Sequence, residues 1–250
     1  MVPAGADKVW AEDSGGSGPV LVLLHEGVGD SRMWDPIWPA LADRFRAIRY
    51  DVRGYGRSPA PTEQYDLADD LRAVLSHFGI TDAHFAGCSM GGATAVDFAL
   101  DEPDRVRSLV LLSTGISGYP WPEEPEQVAR YTALEKAADE DGLVELCLEM
   151  WGGAGPDPFV SELARSGVRA WAYDRFVTQP EPAFDRLGEL RPPAVLLVGD
   201  EDNPALIACV EQAAARIPGC ELIWMPGVDH YPTIRAPDLV LQVVLRHCGG

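Results

Sequence analysis

Residues 87–92 read Gly-Cys-Ser-Met-Gly-Gly, between the short apolar run 83–86 and a helix-like stretch opening at Ala93. A serine raised on a sharp strand-to-helix turn needs neighbours without bulk, because strand and helix approach closely there, and Gly87 and Gly91 meet that need. Ser89 is therefore a candidate nucleophile. A serine hydroxyl is weak at neutral pH and requires a histidine to take its proton and a carboxylate to stabilise the imidazolium. Gly-x-Ser-x-Gly also arises by chance in glycine-rich chains, so those partners decide the reading.

The chain holds five histidines. His77 falls on the polar side of a helix that opens at Asp66, His84 sits at the start of a strand, and His247 lies in the last helix. His25 ends the first apolar strand, ahead of the serine rather than after it. His230, in Asp229-His230-Tyr231-Pro232, follows a strand and is the expected base. The acid is expected from Gly199-Asp200-Glu201-Asp202-Asn203-Pro204, a loop at the carboxyl end of another strand, where catalytic groups of open parallel sheets collect.

Positioning those groups takes alternating strands and helices. Val20–Leu24 is a continuous β-branched and leucine run, as expected of a strand covered on both faces. Further strands are expected at 45–50, near His84, at 108–112, 194–198 and 221–225. Helices are expected from Asp66 to Gly79, 92–100, 204–216 and 237–247, the first with Leu67, Leu71, Val74, Leu75 and Phe78 at helical spacing. This order predicts a mostly parallel sheet with helices on both faces.

Between 117 and 190 the strand signal stops and the chain becomes helical and aromatic, with prolines at 120, 122, 125, 180, 182, 192 and 193 near its ends. That predicts an inserted helical cap, residues 117–190, dividing the core into 1–116 and 191–250. Most cap aromatics should form its own small core. A few, with Trp121 and Trp151 as candidates, should face the serine.

Composition bounds the rest. With 39 acidic against 20 basic side chains the net charge is −19, which disfavours nucleic acid and anionic membrane partners. The first twenty residues carry no apolar run suited to a signal peptide or anchor, and five cysteines show neither paired spacing nor Cys-x-x-Cys, so a cytoplasmic chain with reduced thiols and no metal site is expected. Cys88, next to the serine, reads as small buried filling.

Leu24-His25-Glu26-Gly27, Asp51-Val52-Arg53-Gly54-Tyr55-Gly56-Arg57-Ser58, the serine turn, Gly199-Asp200-Glu201-Asp202 and Asp229-His230-Tyr231-Pro232 together resemble the α/β-hydrolase fold family, from about Lys8 to His247. Within it the core segments look most similar to bacterial esterases and 3-oxoadipate enol-lactonases. The resemblance implies Asp202 as the acid, with Asp200 as runner-up, and an oxyanion hole from the backbone N–H groups of Met90 and Gly27. Asp51, Arg53 and Ser58 would brace loops beneath the site. Glu26 stands where the family usually has glycine, so it is expected either to face the acyl pocket and disfavour carboxylate-bearing substrates, or to point to solvent or pair with Arg32. Trp34 is the better pocket-wall candidate of Trp34 and Trp38.

The expected protein is a cofactor-independent serine hydrolase of a small-molecule carboxylic ester or lactone. Ser89, His230 and Asp202 would carry the chemistry, Gly27 and Met90 the oxyanion, and Glu26, Trp34, Trp121 and Trp151 the pocket. A serine at this position argues against the dehalogenases and epoxide hydrolases of the fold, which use aspartate. The same triad also serves carbon–carbon hydrolases and haloperoxidases, a lyase would follow if Glu26 disrupted the oxyanion hole, and a non-catalytic receptor is the rival from outside enzymology.

Overall fold

A computed structural model describes residues 1–249. The N-terminal segment forms the antiparallel pair β1 (Val2–Ala4) and β2 (Asp7–Val9), then β3 (Ala11–Asp13), which pairs antiparallel with β5 (Arg46–Tyr50). β4 (Val20–Leu24) precedes a short helix α1 (Trp38–Ala42), and α2 (Leu67–His77) follows β5. Then come β6 (Ala83–Cys88), α3 (Met90–Asp101) and β7 (Val106–Leu112). Three helices, α4 (Pro125–Ala137), α5 (Glu140–Trp151) and α6 (Pro158–Ala170), and two 3₁₀ segments fill the interval before β8 (Ala194–Gly199). The chain closes with α7 (Pro204–Arg216), β9 (Glu221–Met225), α8 (Pro232–Arg235) and α9 (Pro237–Cys248).

The main sheet has the order β3-β5-β4-β6-β7-β8-β9 and is parallel except at β3. β6, which ends at the serine turn, lies at its centre. Both faces are covered, and each face has its own apolar cluster. Val22, Phe85, Leu111 and Leu196 point into one with α2, α3 and α7, while Leu21, Ala86, Val110 and Leu197 point into the other with α9. Alternation of side chains along each strand produces this division.

Strand and helix bounds follow the sequence expectation closely, with α3 starting at Met90 rather than 92 and β7 at Val106 rather than 108. The three N-terminal strands and the short helices α1 and α8 had no expected counterpart. Asp66 caps α2 by accepting from the Ala68 and Asp69 N–H groups, and Gly79 terminates it at φ +66°. No helix among the described residues is long and apolar enough to cross a membrane.

The loop segments beneath the sheet edge are tied by buried polar contacts. Asp51 accepts from the N–H groups of Ser31 and Arg57, Ser58 donates to the Asp51 carbonyl, and Arg53 pairs with both Asp70 and Asp7. His25 joins them: Nδ1–H donates to the Glu26 carbonyl at 2.7 Å and Nε2 accepts from the Val52 N–H at 3.0 Å. Both ring nitrogens are occupied, so His25 holds loops together.

Candidate active site

Ser89 sits between β6 and α3 at φ +49°, ψ −115°, a conformation that costs on the order of 1–3 kcal/mol for a side-chain-bearing residue. Its surroundings hold it there. The Ser89 N–H donates to the Leu112 carbonyl and its carbonyl accepts from Ala93. A Cβ on Gly87 would lie 2.6 Å from the Gly91 carbonyl oxygen, and one on Gly91 would lie 2.5 Å from the Leu24 backbone, so the turn tolerates neither.

His230 is fully buried on the loop after β9. Its Nδ1 lies 3.0 and 3.2 Å from the two carboxylate oxygens of Asp202, on the loop after β8, and its backbone N–H donates to the Trp151 carbonyl at the end of α5. The Trp151 ring lies over the imidazole, 4.4 Å between centroids. Asp200 points elsewhere, accepting from the Gly227 N–H at 2.6 Å. Asp229 fixes the loop by accepting from Tyr231 and Arg235 and by reaching the Ala154 N–H of the insertion.

His230 Nε2 is buried and has no hydrogen-bond partner among the described residues, the Ser89 hydroxyl included. Both residues line one cavity of about 800 Å³, enough for a drug-sized ligand. Gly27 and Met90 line it too, and neither of their backbone N–H groups has a protein acceptor among the described residues. Met90 is the first residue of α3, so its N–H is one of the helix's unsatisfied donors. The Gly27 carbonyl is instead occupied, accepting from Trp171 Nε1 at 2.8 Å.

The core of this arrangement can be compared with known proteins. Residues 19–166 match the alpha/beta hydrolase fold family. The chain belongs to that family. It is similar to a putative carbamate hydrolase of Caulobacter segnis, 38% identical over 94% of this hydrolase and 93% of the other. It also resembles a fluoroacetate dehalogenase of a Burkholderia species, 34% identical over 63% of this chain but only 59% of that one. Among solved structures, the carboxylesterase CesB of Bacillus subtilis superposes with a TM-score of 0.82 at 25% identity, covering 100% of this chain and 90% of that one. The enol-lactonase of Burkholderia xenovorans does so with a TM-score of 0.83 at 24% identity, covering 99% and 98%.

Two pocket expectations for this hydrolase need correction. Glu26 is fully buried, is not among the residues lining the cavity, and does not pair with Arg32, which binds Asp30 and Glu162. Its two carboxylate oxygens have no partner among the described residues, and burial, with Asp30 nearby, pushes its pKa up to about 8. The side chain lies against Gly29, where a Cβ would collide with Oε1. Trp34 is likewise fully buried in the apolar cluster with Met33, Ile37 and Leu41 and does not reach the cavity. A Trp two turns past a loop carries no sign of which way its ring will pack.

Trp121 and Trp151 do line the cavity, together with Tyr131 and Trp171 of the insertion and Tyr55 of the core. Elsewhere in the insertion, Tyr119 packs edge-on to Phe184 at 5.0 Å. Sequence reasoning missed Asp97 and Asp174, both in the lining. Asp97 was recoverable, since Met90, Ala93, Thr94 and Asp97 follow helical spacing from the serine turn. Asp174 lies in a 3₁₀ segment, Trp171–Phe176, that has no periodic signature.

Proposed function

We propose that this alpha/beta hydrolase cleaves a small-molecule carboxylic ester or lactone through an acyl-enzyme on Ser89, without a cofactor. The observation that carries the reading is the state of His230. Nδ1 is engaged by Asp202, so the proton-accepting capacity of the ring is at Nε2, which is buried, unpartnered and in the cavity that Ser89 shares.

Ser89 Oγ attacks the carbonyl while Nε2 takes its proton, and Asp202 stabilises the imidazolium. The N–H groups of Met90 and Gly27 receive the oxyanion. Collapse of the tetrahedral intermediate expels the alcohol, which collects the proton from Nε2. Water then enters, gives a proton to Nε2 and attacks the acyl carbon, and Ser89 leaves with the proton as the acid departs. The Trp171–Gly27 and Trp151–His230 contacts join the insertion to both halves of this machinery.

Likeness to an esterase structure supports the bond type. A lyase lacks its motive here, because Glu26 lies outside the cavity. A fluorophosphonate probe tests the reading: it should label Ser89 in the wild type, and not in Ser89→Ala, with a panel of esters and lactones hydrolysed by the wild type alone. Absence of labelling together with binding of small molecules in the cavity would favour a receptor.

A further inference from the structure

We infer that the cavity is built for a substrate carrying an organic cation, an alkylammonium or protonated amine remote from the scissile carbonyl, and that it rejects carboxylate-bearing ones. This rests on the hydrolase reading and names its substrate class. The cavity is a ligand site on independent grounds, because the unpartnered Nε2 of the fully buried His230 belongs to its lining. Its remaining charges are of one sign. Asp66, Asp97, Glu124 and Asp174 line it, and no lysine or arginine does.

Several carboxylates elsewhere in this acidic chain have arginine partners. Arg32, Arg46, Arg49, Arg53, Arg72 and Arg235 each hold one or more of them. None of the four cavity carboxylates takes part in a salt bridge among the described residues. Asp66 is satisfied as the α2 cap and Asp97 accepts from the Ser117 hydroxyl at 2.8 Å, but neither contact supplies positive charge.

Asp97 is half-buried, and Asp174 is exposed on the cavity wall. Burial pushes both pKa values up to about 6, which still leaves them ionised at pH 7. Asp97, partly desolvated and with Arg186 only at a distance, and Asp174 thus stand without a salt-bridge partner among the described residues, and a bound cation supplies one.

The rest of the lining selects the kind of cation. Tyr55, Trp121, Tyr131, Trp151 and Trp171 offer aromatic faces, which attract alkylammonium groups and suit a bulky organic cation better than a hydrated metal ion. No group of three or more His, Cys, Asp or Glu side chains among the described residues is placed to hold a metal. Asp97 lies eight residues beyond Ser89 on the cavity face of α3, about 12 Å along the helix axis at roughly 1.5 Å per residue. The cationic group therefore belongs several bonds away from the reacting carbonyl.

Two measurements test this. Calorimetry on full-length Ser89→Ala compares benzyltrimethylammonium with its uncharged tert-butyl isostere. The cation should bind at least about tenfold more tightly, and adding Asp97→Asn and Asp174→Asn should remove that preference. In wild type, kcat/KM for a trimethylammonium ester should exceed that for its dimethylbutyl isostere, and the carboxylate analogue should be slowest by about a hundredfold. The cation-to-isostere ratio should fall about tenfold in the double variant, and as a ratio within one enzyme it is insensitive to partial misfolding. Equal binding of cation and isostere, an unchanged ratio in the double variant, or good hydrolysis of the carboxylate ester would overturn the inference. If the cation binds as expected but Ser89 takes no fluorophosphonate, the hydrolase reading fails while the cation site stands.

Discussion

The central sheet and the helical insertion solve different problems. In β4, β6, β7 and β8 nearly every residue is buried, and the serine turn and the loops carrying Asp202 and His230 leave the same carboxyl edge. In the insertion, α4 buries no residue at all, while Trp121 is 45% and Val128 is 62% exposed at the cavity. Close packing leaves the sheet little freedom, which is what reacting atoms need to stay in place. Loose packing lets α4 vary what it presents to a ligand at small cost to stability, whereas α5 and α6 bury residues against the core. The candidate reacting groups Ser89, Asp202 and His230 lie on the core, while the cavity lining draws on both regions, Tyr55 and Asp97 from the core and Trp121, Tyr131 and Asp174 from the insertion.

Breaking the core side should have the largest effect. Ser89→Ala and His230→Ala should each lower kcat/KM on the best ester by about 10⁴ or more, and Asp202→Asn should retain more activity because the base survives without orientation. Asp200→Asn should fall within a fewfold of wild type, since Asp200 serves the Gly227 N–H. A damaging Asp200→Asn with a mild Asp202→Asn would reverse the assignment of the acid.

Next in size is a pH effect on stability from Glu26. Its folded pKa, about 8, lies above that of an ordinary glutamate near 4.5, so between those pH values the folded state keeps a proton that the unfolded state has lost. Stability should therefore fall as pH rises through this window, by up to about 5 kcal/mol from this group. Glu26→Gln should remove that slope, gaining on the wild type progressively from pH 5 to pH 8 in urea unfolding. Parallel pH profiles for the two proteins would mean that Glu26 is not held protonated.

Two smaller changes sharpen the contrast between regions. Gly91→Ala places a Cβ 2.5 Å from the Leu24 backbone and should lower stability by roughly 3 kcal/mol, because both strand and helix would have to move. Val128→Ser, on the exposed helix α4, should change stability by less than about 0.5 kcal/mol while shifting KM for bulky esters. A destabilisation by Val128→Ser that matches Gly91→Ala would remove the distinction between rigid core and permissive insertion.

The same division governs what could be read from the amino acids. Val20–Leu24 and Ala194–Val198 are legible because a buried parallel strand shows as an uninterrupted apolar run. The hairpin strands Val2–Ala4 and Asp7–Val9 are not, since three residues each, with Pro3 in one and Asp7 and Lys8 in the other, are too few to show a period. Ser89, His230 and the acidic loop are marked by residue type and order, and the choice of Asp202 came from family spacing. Glu26 was misread because an unpaired buried carboxylate is the placement that burial energetics disfavours most. Asp174 and the aromatic lining depend on how irregular segments of the insertion fold back over the sheet edge, and local sequence carries little record of that.

The proposed mechanism stands on acylation of Ser89 during turnover. Rapid quenching of the wild type with an activated ester, followed by peptide mass spectrometry, tests it directly. An acyl adduct is expected on the peptide containing Ser89, formed in a burst before steady-state release of acid and lost in Ser89→Ala along with turnover. Steady hydrolysis with no adduct at any quench time, and retained in Ser89→Ala, would contradict it and leave His230 acting directly on water.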